Sequence, residues 1–472
     1  MAGALAVLAL PAPSLTPAAH RLGAIWVAVV VLWISEALPL PVTALLAPTL
    51  AILAGVAAPR DAFAAFGDPV LFLLLGSFLL ARAFEVTGLG RRIALRLLTL
   101  PGVSGRPLVM LPLYGLLCFA ISMWTSNTAT AALMLPIALS VLSALEPPGG
   151  RPDGRYASAL LLLCTFGASI GGLGTPVGTP PNMIGLGLLE RALGSRPSFL
   201  EWMAVMAPLA LVLQAAITGV FLLAVRGDPA ARPRPTPGLV AEREGLGPWS
   251  SRERGVAIVF GLTIVLWLLP GAWALVAGDR DPGTLRVAAL LPESAAALLG
   301  AALLFIVPAG NRPILTWDEG RGIDFGTILL FGGGICLGGL LLSTGLGEAI
   351  ADALRRATGA SDALGVTALV VVLAVFLSES SSNTAAATLI VPIAIALATR
   401  IGVDPTIPAL AATAASSLGF MLPVSTAPNA MVFGTGRIRL TTMIRYGLLL
   451  DLLGIALLIG AAAVLLNAGI GP

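Results

Sequence analysis

Apolar runs of about 18 residues or more recur along this chain from residue 22 to residue 466, parted by short polar or Pro/Gly-rich breaks. A buried helix of a soluble protein rarely exceeds about 14 apolar residues, whereas a bilayer core calls for roughly 20. The pattern predicts about a dozen spans: 22–39, 41–56, 69–86, 107–122, 157–189, 203–225, 255–276, 285–307, 323–342, 363–377, 408–435 and 447–466. Two further apolar stretches, 129–145 and 385–398, follow a span with no polar loop between. That is the pattern of a re-entrant hairpin, whose irregular tip must face protein or a water-filled cavity because hydrocarbon satisfies no backbone group.

Composition agrees, with 57% hydrophobic residues, 11% charged residues and a mean hydropathy of +0.97 over 472 residues. Such a chain belongs in a lipid bilayer. The long polar interval 226–254 carries six arginines and reads as a solvated cytoplasmic linker between two halves. Residues 1–11 lack the basic start of a signal peptide and are expected to be retained. The three cysteines lie in apolar runs without a metal or disulfide spacing. A net charge of +3 gives no reason to expect a nucleic-acid partner.

The chain repeats itself. Thr87-Gly88-Leu89-Gly90 returns as Thr344-Gly345-Leu346-Gly347, offset by 257. Ser126-Asn127-Thr128-Ala129 with Pro136 returns as Ser382-Asn383-Thr384-Ala385 with Pro392, offset by 256. Gly178-Thr179-Pro180-Pro181-Asn182 returns as Ser425-Thr426-Ala427-Pro428-Asn429, offset by 247. Three motifs in one order at nearly constant spacing mark two related halves, 1–225 and 255–472, joined by 226–254. An odd number of crossings between the copies would invert the second. Inverted repeats place a substrate site at their interface near the midplane.

A Ser-Asn-Thr hairpin tip offers hydroxyls, an amide and freed backbone groups without fixed charge. Exposed N–H groups and helix N-termini favour a carboxylate, and freed carbonyls suit a hard cation such as sodium. Gly-Thr-Pro-Pro-Asn breaks a helix in mid-membrane, and its Asn can satisfy the backbone groups so orphaned. Singly, each motif reads as an N-cap or a kink. Two symmetric pairs at membrane depth cost several kcal/mol of unsatisfied backbone unless something occupies them.

These segments resemble the divalent anion:sodium symporter family, above all through Ser416-Ser417-Leu418-Gly419-Phe420-Met421-Leu422-Pro423-Val424-Ser425-Thr426-Ala427-Pro428-Asn429-Ala430-Met431-Val432, with the twin Ser-Asn-Thr tips in agreement. The resemblance implies an all-α polytopic membrane protein: a homodimeric elevator with two inverted-topology repeats, re-entrant hairpins at 123–147 and 378–402, and broken helices at 157–189 and 408–435. It implies that Ser126, Asn127, Thr128, Thr179, Ser382, Asn383, Thr384 and Thr426 grip a small dicarboxylate anion. Sodium ions would lie at Ser122, Ser126, Asn127 and Gly178 on one side, and at Ser378, Ser381, Asn383 and Ser425 on the other. The expected activity is sodium-coupled symport of C4-dicarboxylates (succinate, malate, fumarate) across the bacterial inner membrane. The alternatives are a sodium-independent dicarboxylate exchanger, or a sodium-coupled citrate or sulfate carrier.

The sequence departs from the family pattern at Ala427, where relatives often carry proline, and at Ser425, where they carry a smaller residue. Glu379 lies one turn before the second tip, where the first half has Met123. An acid in a span is a functional candidate, and a structural hydrogen bond or a transport role are both open to it. Arg82, Glu85 and Asp68, near span ends, are expected to pair or snorkel rather than touch substrate, and His20 to be incidental. An intramembrane enzyme would need a histidine, a metal cluster or paired carboxylates, and a channel would need a filter; both readings are set aside.

Overall fold

Proline opens several of the apolar helices, in the first turn where its missing N–H costs nothing. A side chain caps the turn just ahead: Thr16 accepts from the Ala19 amide before Pro17, and Asp68 from the Val70 amide before Pro69. The computed structural model describes residues 15–145, 154–278 and 280–468; the expectation for 1–11 and the last two residues of the 123–147 hairpin lie outside them.

Two helices, α1 (Pro17–Ser35) and α2 (Leu40–Leu53), open the first half. That half continues with α3 (Pro69–Val86), α4 (Leu89–Leu98), α5 (Pro107–Ser122), α6 (Asn127–Leu145), α7 (Arg155–Gly172), α8 (Pro180–Leu193) and α9 (Phe199–Ala224). The 226–254 linker contains α10 (Pro237–Gly245), and the second half opens with α11 (Ser251–Ala277), α12 (Pro282–Leu290) and α13 (Glu293–Ile306). The second half repeats the first, element for element, as α14 (Phe325–Ser343), α15 (Leu346–Thr358), α16 (Ala363–Ser380), α17 (Asn383–Arg400), α18 (Thr406–Ala415), α19 (Ala427–Phe433) and α20 (Leu440–Asn467).

The halves exchange helices. The first half's α2 packs on α14 of the second, and α13 packs on α3 of the first. Glycines set both contacts at the repeat offset. A β-carbon at Gly76 would fall 2.6 Å from the Ala297 carbonyl carbon, and one at Gly333 would fall 2.2 Å from the Ala44 carbonyl oxygen. Backbones approach this closely only where one helix carries no side chain in the seam and the other, with Ala297 or Ala44, no more than a methyl group. The Thr-Gly-Leu-Gly motif marks a turn in each half: Gly88 and Gly345 adopt φ of 77° and 83°, the left-handed region that glycine alone enters freely.

Among the described residues nine helices are long and apolar enough to cross a membrane, or ten if α12 and α13, bent by 45°, form one span. Fewer than the expected dozen meet that length, because two apolar runs divide and because 41–56 and 107–122 form helices of only 14 and 16 residues. The 157–189 run divides into α7 and α8, and the 408–435 run into α18 and α19, as the Gly and Pro content required. Conversely α6 and α17, expected as hairpin arms, are themselves long enough to span. Both α7 and α17 are buried along almost their whole length, whereas α20 shows Leu452 and Val464 outward, as a lipid-facing helix does.

The 226–254 linker is less solvated than expected. Leu239 on α10 is buried, and Arg92 on α4 reaches the Leu246, Gly247 and Pro248 carbonyls while pairing with Glu253 at 2.6 Å. Trp249 lies under the guanidinium groups of Arg92 and Arg96.

Candidate functional site

Two helix breaks and two hairpin tips meet at one cavity of about 530 Å³. Ser126, Asn127 and Thr128 line it from the first tip, Ser382, Asn383 and Thr384 from the second, and Thr179 and Thr426 from the breaks. The eight residues expected to hold the anion, up to 300 positions apart in sequence, thus line one cavity. Helices α6, α8 and α17 all begin there, so their N-terminal amides and dipoles favour negative charge in the cavity. Thr128 is exposed and Thr384 buried, so the first tip presents more of itself than the second.

Each tip is braced identically. Ser122 Oγ donates to Asn127 Oδ1 at 2.9 Å, and Ser378 Oγ donates to Asn383 Oδ1 at 2.7 Å. Ser378 Oγ also lies 2.8 Å from the Ser416 carbonyl. Against each Asn oxygen rests a glycine of the adjoining break. A β-carbon at Gly172 would lie 2.5 Å from Asn127 Oδ1, and one at Gly419 would lie 3.2 Å from Asn383 Oδ1. Gly178 backs onto the Gly172 carbonyl, where a β-carbon would lie 2.5 Å away. These are oxygen cradles without fixed charge that only glycine leaves open, a donor set that fits a hard monovalent cation. Ser381 Oγ donates to the Leu377 carbonyl at 2.9 Å, which leaves its oxygen lone pairs free to accept.

The breaks are stitched by asparagine. Asn182 Nδ2 donates to the Gly172 and Thr175 carbonyls, both at 2.8 Å, and Asn429 Nδ2 to the Gly419 and Leu422 carbonyls, both at 3.0 Å. All four carbonyls and both amides keep the repeat offset, and each asparagine is fully buried. Thr165 on α7 also donates to Asn429 Oδ1, crossing from one half to the other.

Tip and break are tied differently in the two halves. In the first, the Thr175 hydroxyl donates to the Met123 carbonyl. In the second, Glu379 at the Met123 position accepts from the Met421 amide (2.7 Å), the Leu422 amide (3.2 Å) and Ser425 Oγ (2.7 Å). Glu379 is therefore a hydrogen-bonding brace, and the Ser425 hydroxyl is committed to it.

Glu36, Arg82, Glu85 and Asp324 also line the cavity. Arg82 pairs with Glu85 at 2.8 Å and donates to the Glu319 carbonyl, as a pairing residue was expected to do, yet it stands in the cavity wall. Asp68 caps α3 and pairs with Arg191 at 3.0 Å. Sequence reasoning passed over Thr175, the two cradle glycines and Asp451, a buried acid in the last span. Asp451 alone announced itself, since any carboxylate in mid-span is conspicuous.

A profile of the sodium:sulfate symporter transmembrane region matches residues 1–467. The chain is 33% identical over 442 residues to the sodium-dependent dicarboxylate transporter SdcS of Staphylococcus saprophyticus, covering 90% of this chain and 82% of that protein. It is 32% identical over 444 residues to SdcS of Staphylococcus aureus strain NCTC 8325, with the same coverage. Among solved structures, the YdaH transporter of Alcanivorax borkumensis superposes with a TM-score of 0.57 at 15% identity, covering 87% of each chain. MtrF of Neisseria gonorrhoeae gives 0.56 at 15% identity, covering 84% of this chain and 82% of that one. At that identity the likeness is one of fold.

Proposed function

Since the chain belongs to the sodium:sulfate symporter family, the divalent anion:sodium symporters, and is a multi-pass protein of the bacterial inner membrane, we propose that it carries C4-dicarboxylates such as succinate, malate and fumarate in symport with sodium. The observation that carries this reading is the convergence of both Ser-Asn-Thr tips on one cavity, each with an uncharged oxygen cradle behind it. The names of the SdcS relatives support a dicarboxylate as substrate and sodium as the ion.

In this reading Ser126, Asn127, Thr128 and Thr179 hold one carboxylate, and Ser382, Asn383, Thr384 and Thr426 the other. One sodium ion binds with Ser122, Ser126, Asn127 and Gly178, and another with Ser378, Ser381, Asn383 and Ser425. The Asn side chains serve both cargoes, oxygen toward the cation and amide nitrogen toward the anion, so neither binds well alone. Two sodium ions neutralise a dianion, which removes most of the penalty for moving it through a low-dielectric region. The loaded hairpins and broken helices would then move as one body against a scaffold that includes α2 and α13, in an elevator step within a homodimer. The glycine seams at Gly76 and Gly333, which join α3 to α13 and α14 to α2, support a tightly packed scaffold.

The test is uptake of labelled succinate into proteoliposomes under an inward sodium gradient, with potassium as control and unlabelled malate, citrate or sulfate as competitors. Sodium-driven accumulation that malate suppresses most strongly is expected. Uptake that ignores sodium and requires internal dicarboxylate would replace symport with exchange, and strongest competition by citrate or sulfate would replace the substrate. Asn127→Ala and Asn383→Ala are each expected to abolish uptake while elution on size exclusion stays unchanged; wild-type uptake in both would remove the site assignment.

A further inference from the structure

Helix α20 runs along the back of the second break. Gly447 and Gly454 let it come close: a β-carbon at 447 would lie 2.5 Å from the Phe420 carbonyl, and one at 454 would lie 2.7 Å from the Leu418 side chain. Asp451 sits four residues after one and three before the other, on the same face. That face meets the turn that holds Glu379: a β-carbon at 447 would also lie 2.6 Å from the Met421 α-carbon, and the Met421 and Leu422 amides donate to Glu379. Asp451 is 2% exposed, and neither of its carboxylate oxygens meets a hydrogen-bond donor.

Two carboxylates therefore stand together behind the second tip with unequal support. Glu379, 4% exposed, is satisfied by two backbone amides and the Ser425 hydroxyl. Asp451 has nothing. A buried carboxylate without a partner is among the most costly groups a protein can hold, and a second one beside it raises the cost. The helices packed against α20 bring no relief. Glu379 itself comes from α16, α18 has no charged residue, and the single charge on α9 is Glu201, used in that helix's own capping box. The break between α18 and α19 carries no basic residue, and Arg445 on α20 points outward. The first half has nothing comparable, with Met123 in place of Glu379 and no acid on α9 beyond its first turn.

We propose that Glu379 and Asp451 hold a third sodium ion behind the second tip, asymmetric between the repeats and joined to the second cradle through Ser425. This rests on the reading that sodium is the coupling ion. The cation offsets one of the two charges, and the amides of Met421 and Leu422 with the Ser425 hydroxyl support the other. Because the same amides belong to the break, occupancy of this site also fixes the turn that presents Thr426 to the anion. Asp451→Asn is the variant of choice, since Asp451 accepts no hydrogen bond whose loss would disturb the fold.

The test is the reversal potential of succinate flux in proteoliposomes, which reports the number of sodium ions per succinate independently of rate. Three per succinate are expected for the wild type and two for Asp451→Asn. A parallel count of bound ²²Na⁺ on purified protein should fall by one in Asp451→Asn and return in Asp451→Glu, which also covers a variant that binds without transporting. A wild-type ratio of two, an unchanged ratio and count in Asp451→Asn, or a wild-type reversal potential that follows a pH gradient because a proton sits between the carboxylates would each overturn the third site. A wild-type potential indifferent to sodium would instead overturn the symport reading itself.

Discussion

Asn182 and Asn429 make the same two bonds across their breaks, but only Asn429 has a partner for its oxygen, supplied by Thr165. The Asn182 oxygen is buried without one. Removing a buried hydrogen-bonding partner costs about 1–3 kcal/mol for each group left unsatisfied. Asn429→Ala is therefore expected to lower stability by roughly 1 kcal/mol more than Asn182→Ala, and Thr165→Ala to remove most of that difference, read as thermal unfolding in detergent. Arg82 is the one basic residue among those lining the cavity. Arg82→Gln should raise KM for succinate several-fold with kcat little changed, because a cation in the wall attracts the dianion without belonging to the tips.

Helices α4 and α15 occupy the same place in the repeat but are held differently. The linker grips α4 through Arg92, whose side chain is 4% exposed and whose partner Glu253 is 6% exposed. Breaking a buried pair by removing one partner costs about 3–5 kcal/mol, so Arg92→Ala should destabilise the protein by about that amount and expose the 226–254 linker to protease. On α15, Asp352 faces Arg400 of α17 at 2.9 Å in an exposed pair. The guanidinium's hydrogen bonds hold the Asp352 carboxyl below its ordinary value. A carboxylate depressed by folding contributes stability above its unfolded pKa and loses it as pH falls through the folded one. The tie between α15 and α17 should hold at neutral pH and weaken only in acid, with Asp352→Asn removing that acid dependence in hydrogen exchange of α15.

Across the whole molecule, each half is completed by a helix from the other: α2 closes on α14 and α13 on α3. The two seams should therefore fail alike. Gly76→Val and Gly333→Val are each expected to abolish assembly of a monodisperse protein, because a side chain there meets backbone rather than a movable group. Expression of either variant with an unchanged elution profile would show that the seam can open.

Much of this was legible in the sequence because a bilayer imposes strict rules on it. Hydropathy alone declared the membrane, and the repeat motifs at constant offset declared two halves, two tips and two breaks. The identical chemistry at Asn127 and Asn383, and at Asn182 and Asn429, could be paired before any fold was known. Span count could not, because an apolar run such as 157–189 has the same composition whether it is one helix or two. Nor could the tie at Glu379: a carboxylate's meaning depends on which donors the chain brings to it, and those came from residues 421, 422 and 425. The exchange of α2 and α13, the grip of the linker on Arg92 and the meeting of Asp451 with Glu379 are likewise contacts between segments far apart in the chain. Local sequence determines which elements form and where they break. Only their packing decides which backbone amide faces which carboxylate, since that depends on distances no single segment contains.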